Sequence, residues 1–205
     1  MAYVSAEARR QQLIEAAIRV VAREGADGAT TRKIVDEAEA PLASLHYCFQ
    51  NKENLLLAVF TQLSTEMPVG VALPEDGSAT LSYVMEQSLT NAIRWSVDNP
   101  VRVRAMIEVT LWAERNDPEV SVSFYDAFLK SSEAVLRQVD VSLSDEELHS
   151  VMRVAVSLVD GLSLQMLTDG DKERTLRDAA TACAILRSYL SERERNPSAG
   201  CSPTA

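Results

Sequence analysis

The chain has 205 residues, 46% of them hydrophobic, enough to bury a sizeable core in one domain or two small ones. Its formal net charge is −10, and its three cysteines, Cys48, Cys183 and Cys201, are scattered with no CxxC spacing, which argues against a disulfide framework and a zinc site. No stretch approaches the roughly 20 uninterrupted apolar residues of a membrane span, and the N-terminus lacks a secretory signal, so a cytoplasmic chain with no membrane contact is expected.

The charge is unevenly spread. Residues 1–52 hold seven Lys/Arg and seven Asp/Glu, so the remainder of the chain carries the whole negative excess. Only the N-terminal quarter can approach a polyanion without general repulsion.

Leu13, Ala16, Ala17, Val20 and Val21 recur at helical spacing and predict an amphipathic helix over 6–24, ended by Gly25 and Gly28. Thr30 stands where an N-cap belongs, opening a short helix to about Ala38 with Ile34, Val35 and Ala38 on its apolar face. Pro41 suits the first turn of a second short helix ending near Tyr47. Asn51 can cap a longer helix over 52–66, whose apolar face is Leu55, Leu56, Val59, Phe60 and Leu63.

A connector with Pro68, Gly70, Pro74 and Gly77 follows. Long helices are predicted over 78–97, 100–114, 118–139, 144–168 and 174–193, with nothing alternating as strand and a disordered tail over 196–205. The expected architecture is all-α, with about nine helices.

Helices below about 12 residues are marginal alone, so the two short ones must be held by the helices around them. A short helix, a tight turn and a second short helix on such a frame is the helix-turn-helix arrangement, whose second helix enters the major groove of DNA. Thr30, Thr31, Arg32 and Lys33 cluster at the start of the first short helix, where hydroxyls, cations and free N–H groups can meet phosphate. On the second, Leu42, Ala43, Ser44 and His46 offer small, apolar or hydrogen-bonding contacts to bases, while Tyr47 and Lys52 can reach phosphate. Leu45 and Phe49 are expected on the core side.

The stretch "GADGATTRKIVDEAEAPLASLHYCFQNKENLL", residues 25–56, resembles the DNA-binding signature of the TetR family of bacterial transcription regulators. The resemblance implies a helix-turn-helix domain over 1–51 and a larger helical domain over 52–195 that binds a small effector and dimerises. It matches Thr30 and Arg32 to the start of the family's second helix, Pro41 through Tyr47 to its recognition helix, and Tyr47, Phe49, Lys52 and Leu55 to the junction that follows. "DGL" at Asp160–Leu162 resembles a shorter pattern in the family's penultimate helix.

Three positions depart from the pattern. Glu39 stands where the family usually has a turn glycine, implying either a left-handed residue at roughly 1 kcal/mol or a different turn. Ala43 replaces a common glycine, and Cys48 a frequent histidine or tyrosine.

Aromatic and methionine side chains in the long helices are core or pocket candidates; Trp95, Met106, Trp112 and Tyr125 are taken as effector contacts. The resemblance assigns a homodimer interface to the last two long helices, with Val151, Val154, Leu158, Leu162, Ala182, Leu186 and Tyr189 as its candidates.

No catalytic residues, metal ligands or cofactors are assigned. The two histidines, His46 and His149, lie far apart, and no glycine-rich phosphate loop or nucleophile elbow is present. His149 is read as structural or solvated, without an acidic partner. The expected function is a ligand-responsive regulator, a repressor that binds a palindromic operator as a homodimer and is released by a small-molecule effector. The alternative is a small-molecule binding module without sequence-specific DNA recognition.

Overall fold

The computed structural model describes residues 5–68, 70–139 and 143–195. Among the described residues every regular element is an α-helix: α1 (Ala6–Gly28), α2 (Thr31–Glu37), α3 (Leu42–Phe49), α4 (Lys52–Glu66), α5 (Leu81–Asp98), α6 (Pro100–Asn116), α7 (Pro118–Leu136), α8 (Asp145–Asp169) and α9 (Lys172–Arg195). The all-α expectation holds, while the tail over 196–205 lies outside the described residues.

The helices pack into two compact units. One joins Met1–Met67 to Asn99–Phe124, and the other joins Pro68–Asp98 to Tyr125–Ala205. In packing terms the first unit runs past residue 51, because α4 and the later helix α6 both lie against α1.

Most faces of α1 are occupied. Leu13, Ala16, Ala17, Val20 and Val21 are fully buried, together with Ile34 of α2, Leu45 of α3, Leu55, Leu56 and Leu63 of α4, and Val109 of α6. Burying a leucine, isoleucine or valine contributes about 1.5–3 kcal/mol, so this cluster can hold α2 and α3, which are too short to persist alone.

A polar bridge reinforces it. Arg102 of α6 donates to both carboxylate oxygens of Glu15 of α1, at 3.0 and 3.1 Å. The same guanidinium lies 3.1 Å from the Glu66 carboxylate of α4. Gln62 spans the two acids, at 2.7 Å from Glu15 and 2.9 Å from Glu66.

The first helix ends differently from the sequence expectation. Gly25 leaves helical geometry at φ 76°, but α1 resumes for one more turn to Gly28. The Glu108 carboxylate of α6 stands 3.2 Å from where a Cβ at Gly25 would sit. A side chain there would meet both an unfavourable φ and this carboxylate.

Pro41 also differs, standing at the N-cap of α3 rather than in its first turn; its ψ of 141° keeps it extended.

In the second unit α5 packs against α8 and α9 and buries Leu81, Val84, Met85, Leu89 and Ile93. The Asp145–Glu147 run occupies the first turn of α8, and Ser144 and Glu147 close a capping box there. Gly170 ends α8 in a left-handed conformation. By length and composition α8 is apolar enough to cross a membrane, although no uninterrupted run of about 20 was found in the sequence. It carries Arg153 and Asp160, and only a third of its most apolar window is buried within the chain.

Candidate nucleic-acid interface

The turn between α2 and α3 decides where the second short helix points. Ala40 N–H donates to the Val35 carbonyl at 2.9 Å and Glu39 N–H to that of Asp36 at 3.1 Å. These two bonds make a Schellman ending, with Glu39 at its left-handed position at φ 48°. Of the two alternatives left open by the sequence, the structure has the left-handed glutamate. Replacing Glu39 with glycine is expected to raise stability by about 1 kcal/mol, read as a higher urea midpoint with unchanged slope. A lower midpoint would mean that the glutamate side chain makes a stabilising contact.

A tight junction joins α3 to α4. Asn51 N–H donates to the Phe49 carbonyl at 2.9 Å across Gln50, which has φ 68° and ψ −52°. This is the rare γ-turn of positive φ. It is held from both sides: His46 Nδ1 donates to the Gln50 carbonyl at 3.0 Å, and Asn54 Nδ2 to the Phe49 carbonyl at 2.9 Å. A carbonyl can only accept, so Nδ1 carries the proton and Nε2 is left for an outside partner. Asn51 caps α4 as expected, accepting from Asn54 N–H at 2.8 Å.

Two side chains of α1 that sequence reasoning missed anchor both short helices. Gln12 Nε2 donates to the Ala38 carbonyl at 2.7 Å, at the end of α2. Arg10 donates to the Cys48 carbonyl at 3.4 Å, near the end of α3, with its guanidinium 4.5 Å from the centroid of the Phe49 ring. Free carbonyls at helix ends attract such donors, but the partners are 26 and 38 residues away in sequence, so no local pattern announced them.

With α3 fixed in this way, Leu42, Ala43, His46 and Tyr47 are exposed, Tyr47 by 80%, and Ser44 is half-buried. Leu45 and Phe49 turn into the core, as expected. At the start of α2 the Thr30 hydroxyl accepts from Lys33 N–H at 3.3 Å, the expected cap, and Thr31 is half-buried beside it.

The two cations at this end are not equivalent. Lys33 pairs with Glu24 and donates to the Gly28 carbonyl at 3.1 Å. Arg32 is exposed and forms no ion pair among the described residues. Lys52 donates to the Asp27 carbonyl at 3.2 Å, next to the N-terminus of α2. Glu37 is hydrogen-bonded by Arg19 at 2.7 Å and Arg23 at 3.3 Å, and the Arg19 bond holds its carboxyl below the usual glutamate range. Lys33 does the same to Glu24. Both acids therefore stay ionised at neutral pH and occupy Arg19, Arg23 and Lys33.

A family model described as "Bacterial regulatory proteins, tetR family" matches residues 13–59, the span from mid-α1 to α4. The HTH-type nicotine-responsive transcriptional repressor HdnoR of Paenarthrobacter nicotinovorans is 30% identical over 174 residues, covering 83% of this chain and 90% of the relative. This chain belongs to the TetR family. The solved structure of a TetR-family member from Streptomyces coelicolor A3 is similar at 27% identity and a TM-score of 0.62, covering 84% of this chain and 96% of that one. A putative TetR-family regulator from Shewanella sp. PV-4 shares the fold at 18% identity and a TM-score of 0.69, over 89% of this chain and 97% of that one. TetR-family proteins are transcription regulators, so this chain is a regulator and not an enzyme.

The four effector candidates of this TetR-family protein divide between the units. In the first, Trp112 is 6% exposed within the core cluster and Met106 packs against that cluster. In the second, Trp95 is half-buried in α5, and Tyr125 in α7 donates its hydroxyl to Asp160 of α8 at 3.4 Å.

The dimer candidates also divide. Val151, Ala182 and Leu186 are buried within the single chain, Leu158 and Leu162 are half-buried, and Val154 and Tyr189 are exposed. Ile185, 63% exposed and one turn before Tyr189 on α9, was missed. Its signal was the four-residue spacing to Tyr189.

His149 corrects the sequence reading, which saw no acidic partner: its Nδ1 is 2.7 Å from the Glu133 carboxylate of α7. The two residues are 16 apart and lie on different helices, so helical spacing could not reveal the pair.

Proposed function

We propose that this regulator is a repressor that binds a palindromic operator as a homodimer in the cytoplasm and is released by a small-molecule effector. The observation that carries the reading is the exposed face of α3, held at its C-terminal end by Arg10 and His46 and offering Leu42, Ala43 and His46 outward with Ser44 half-buried beside them. These four are the base contacts, while Thr30, Thr31, Arg32, Lys33, Tyr47 and Lys52 position the protein on phosphates. Two such heads spaced by one helical turn of DNA, roughly 34–36 Å, would read successive major-groove faces.

Small-molecule release is supported by the repressor HdnoR, whose name describes it as nicotine-responsive. Trp95 and Tyr125 are the effector candidates of the second unit, and Met106 and Trp112 those of the first. The Arg102 bridge suggests a route for release: α6 is tied to both α1 and α4, so a displacement of α6 pulls on the helices that carry the reading head. An effector must bind the two conformers unequally to move the equilibrium.

Val154, Leu158, Leu162, Ile185 and Tyr189 are the outward apolar residues of α8 and α9 that a second copy would cover. Replacing Ile185 with aspartate is expected to yield a folded monomer by analytical ultracentrifugation, with helicity retained in circular dichroism. A dimer of unchanged affinity would place the interface elsewhere.

The operator is tested by selecting bound sequences from a random duplex library. A palindrome bound at least ~10³-fold better than random DNA is expected. A folded, dimeric protein that enriches no motif would instead favour a binding module without DNA recognition.

A further inference from the structure

The second short helix, Leu42–Phe49, contains no arginine, lysine, asparagine or glutamine, the side chains that usually read the edges of guanine and adenine. Its polar means of reading a base are therefore few. Leu42 lies four residues before His46 and Ala43 three before it, so the three share one face of α3, and all three are exposed. Two of them are apolar. Ser44 is half-buried, and its hydroxyl can either donate or accept. What this face offers to a base edge turns on His46.

The two nitrogens of the His46 ring are in different states. Nδ1 donates to the Gln50 carbonyl at 3.0 Å, and a neutral imidazole has only that one proton to give. Nε2 is therefore a bare acceptor, and it makes no hydrogen bond among the described residues. The one histidine ion pair among those residues belongs to His149. The Gln50 partner is itself held in place, because Gln50 N–H donates back to the His46 carbonyl at 3.0 Å and Asn51 N–H closes the turn onto Phe49 at 2.9 Å. To offer a donor instead, the neutral ring would have to move its proton to Nε2. Two acceptors, Nδ1 and the Gln50 carbonyl, would then face each other, which is unfavourable.

We infer that His46 determines operator specificity by accepting a hydrogen bond from the exocyclic amino group of adenine or cytosine, and so excludes guanine and thymine from that position of the strand it faces. The inference rests on the operator reading above. In the major groove adenine presents its N6 amino group where guanine has the O6 acceptor, and cytosine its N4 amino group where thymine has O4. Against O6 or O4 the lone pair of Nε2 meets another acceptor. Leu42 and Ala43 act in the same sense, since they suit a thymine methyl at a neighbouring position and give guanine no donor.

The test uses the full chain and the palindrome obtained from the random-duplex selection, at about pH 8, above the range in which histidine side chains ordinarily gain a second proton. Each half-site is expected to hold one position that His46→Ala relaxes, occupied by adenine or cytosine. Deleting only the amino group there in both half-sites, with purine for adenine or 2-pyrimidinone for cytosine, should weaken binding of the parent chain about tenfold or more by fluorescence anisotropy. The same edit should alter binding by His46→Ala less than about twofold, because the contact it removes is already gone. Where the base is adenine, 7-deazaadenine loses N7 but keeps the amino group, and should bind the parent as well as adenine does. His46→Arg puts donors where the acceptor stood and should move the preference to guanine; it keeps the inference testable if His46→Ala fails to fold. Guanine or thymine at the position that responds to His46, no responding position, an amino deletion that costs His46→Ala as much as the parent, or a His46→Arg chain that keeps adenine or cytosine each overturns the inference. Any of these on a selected palindrome leaves the operator reading intact, whereas a folded chain that selects no palindrome loses the operator and this inference with it.

Discussion

Replacing Trp112 with alanine is expected to lower the unfolding free energy by about 3–5 kcal/mol, the range for removing a buried tryptophan and leaving a cavity. The side chain is 6% exposed within a cluster built from α1, α2, α3, α4 and α6, and its carbonyl accepts from Asn116 at 2.8 Å. Set against a total stability of about 5–15 kcal/mol, that loss is a large fraction. Urea unfolding followed by far-UV circular dichroism reads it directly. The same experiment separates two roles for this tryptophan. A core residue lowers the midpoint whether or not an effector is present, whereas a pocket residue leaves the midpoint within about 1 kcal/mol of the parent and removes the effector response instead. Because this core also seats α3 through Leu45 and Phe49, the variant should lose operator binding near the temperature at which it unfolds.

The second large effect is expected at Arg32. A charge-assisted hydrogen bond contributes about 1.5–3 kcal/mol, and a dimer on a palindrome makes it twice, so Arg32→Ala should weaken operator binding by about 10²–10⁴-fold. Lys33→Ala should weaken it less, because Lys33 is already engaged by Glu24 and the Gly28 carbonyl and must surrender those partners to reach a phosphate. If Arg32 meets phosphate, the loss should be similar on the selected operator and on random duplex, and the salt dependence should flatten by about two counterions per dimer. Fluorescence anisotropy across a salt series measures both quantities. A larger effect at Lys33 than at Arg32 would overturn the assignment, and a loss confined to one base position would move Arg32 from phosphate to base contact.

Both predictions concern residues that look alike in sequence and differ in the folded chain. Arg32 and Lys33 are adjacent cations at one helix start; the difference between them is Glu24, which α1 brings across to Lys33. Trp112 and Trp95 are both aromatic residues on long amphipathic helices, yet Trp112 closes the core of the first unit while Trp95 stays half-buried in the second. Likewise Val151 and Val154, both assigned to a dimer face, separate into a buried and an exposed residue three positions apart.

Local signals by themselves determined the helices of the described residues, the Thr30 and Asn51 caps, and the inward turn of Leu45 and Phe49, because each depends on residues within about one helical turn. The motif over residues 25–56 carried the family in the same way. At Glu39 the sequence narrowed the turn to two conformations, and the bonds to Val35 and Asp36 decided for the left-handed one. Only the tertiary structure decided which helices share a core. The amphipathic period of α6 says that one face is buried but not that α1 and α4 bury it. Arg102 reaches Glu15 across 87 residues, and Arg10 reaches the end of α3 across 38. That the buried Ser163 hydroxyl of α8 has no hydrogen-bond partner among the described residues is likewise a property of what surrounds it, for helical period specifies a direction from the axis and leaves the neighbour in that direction to the packing of the whole chain.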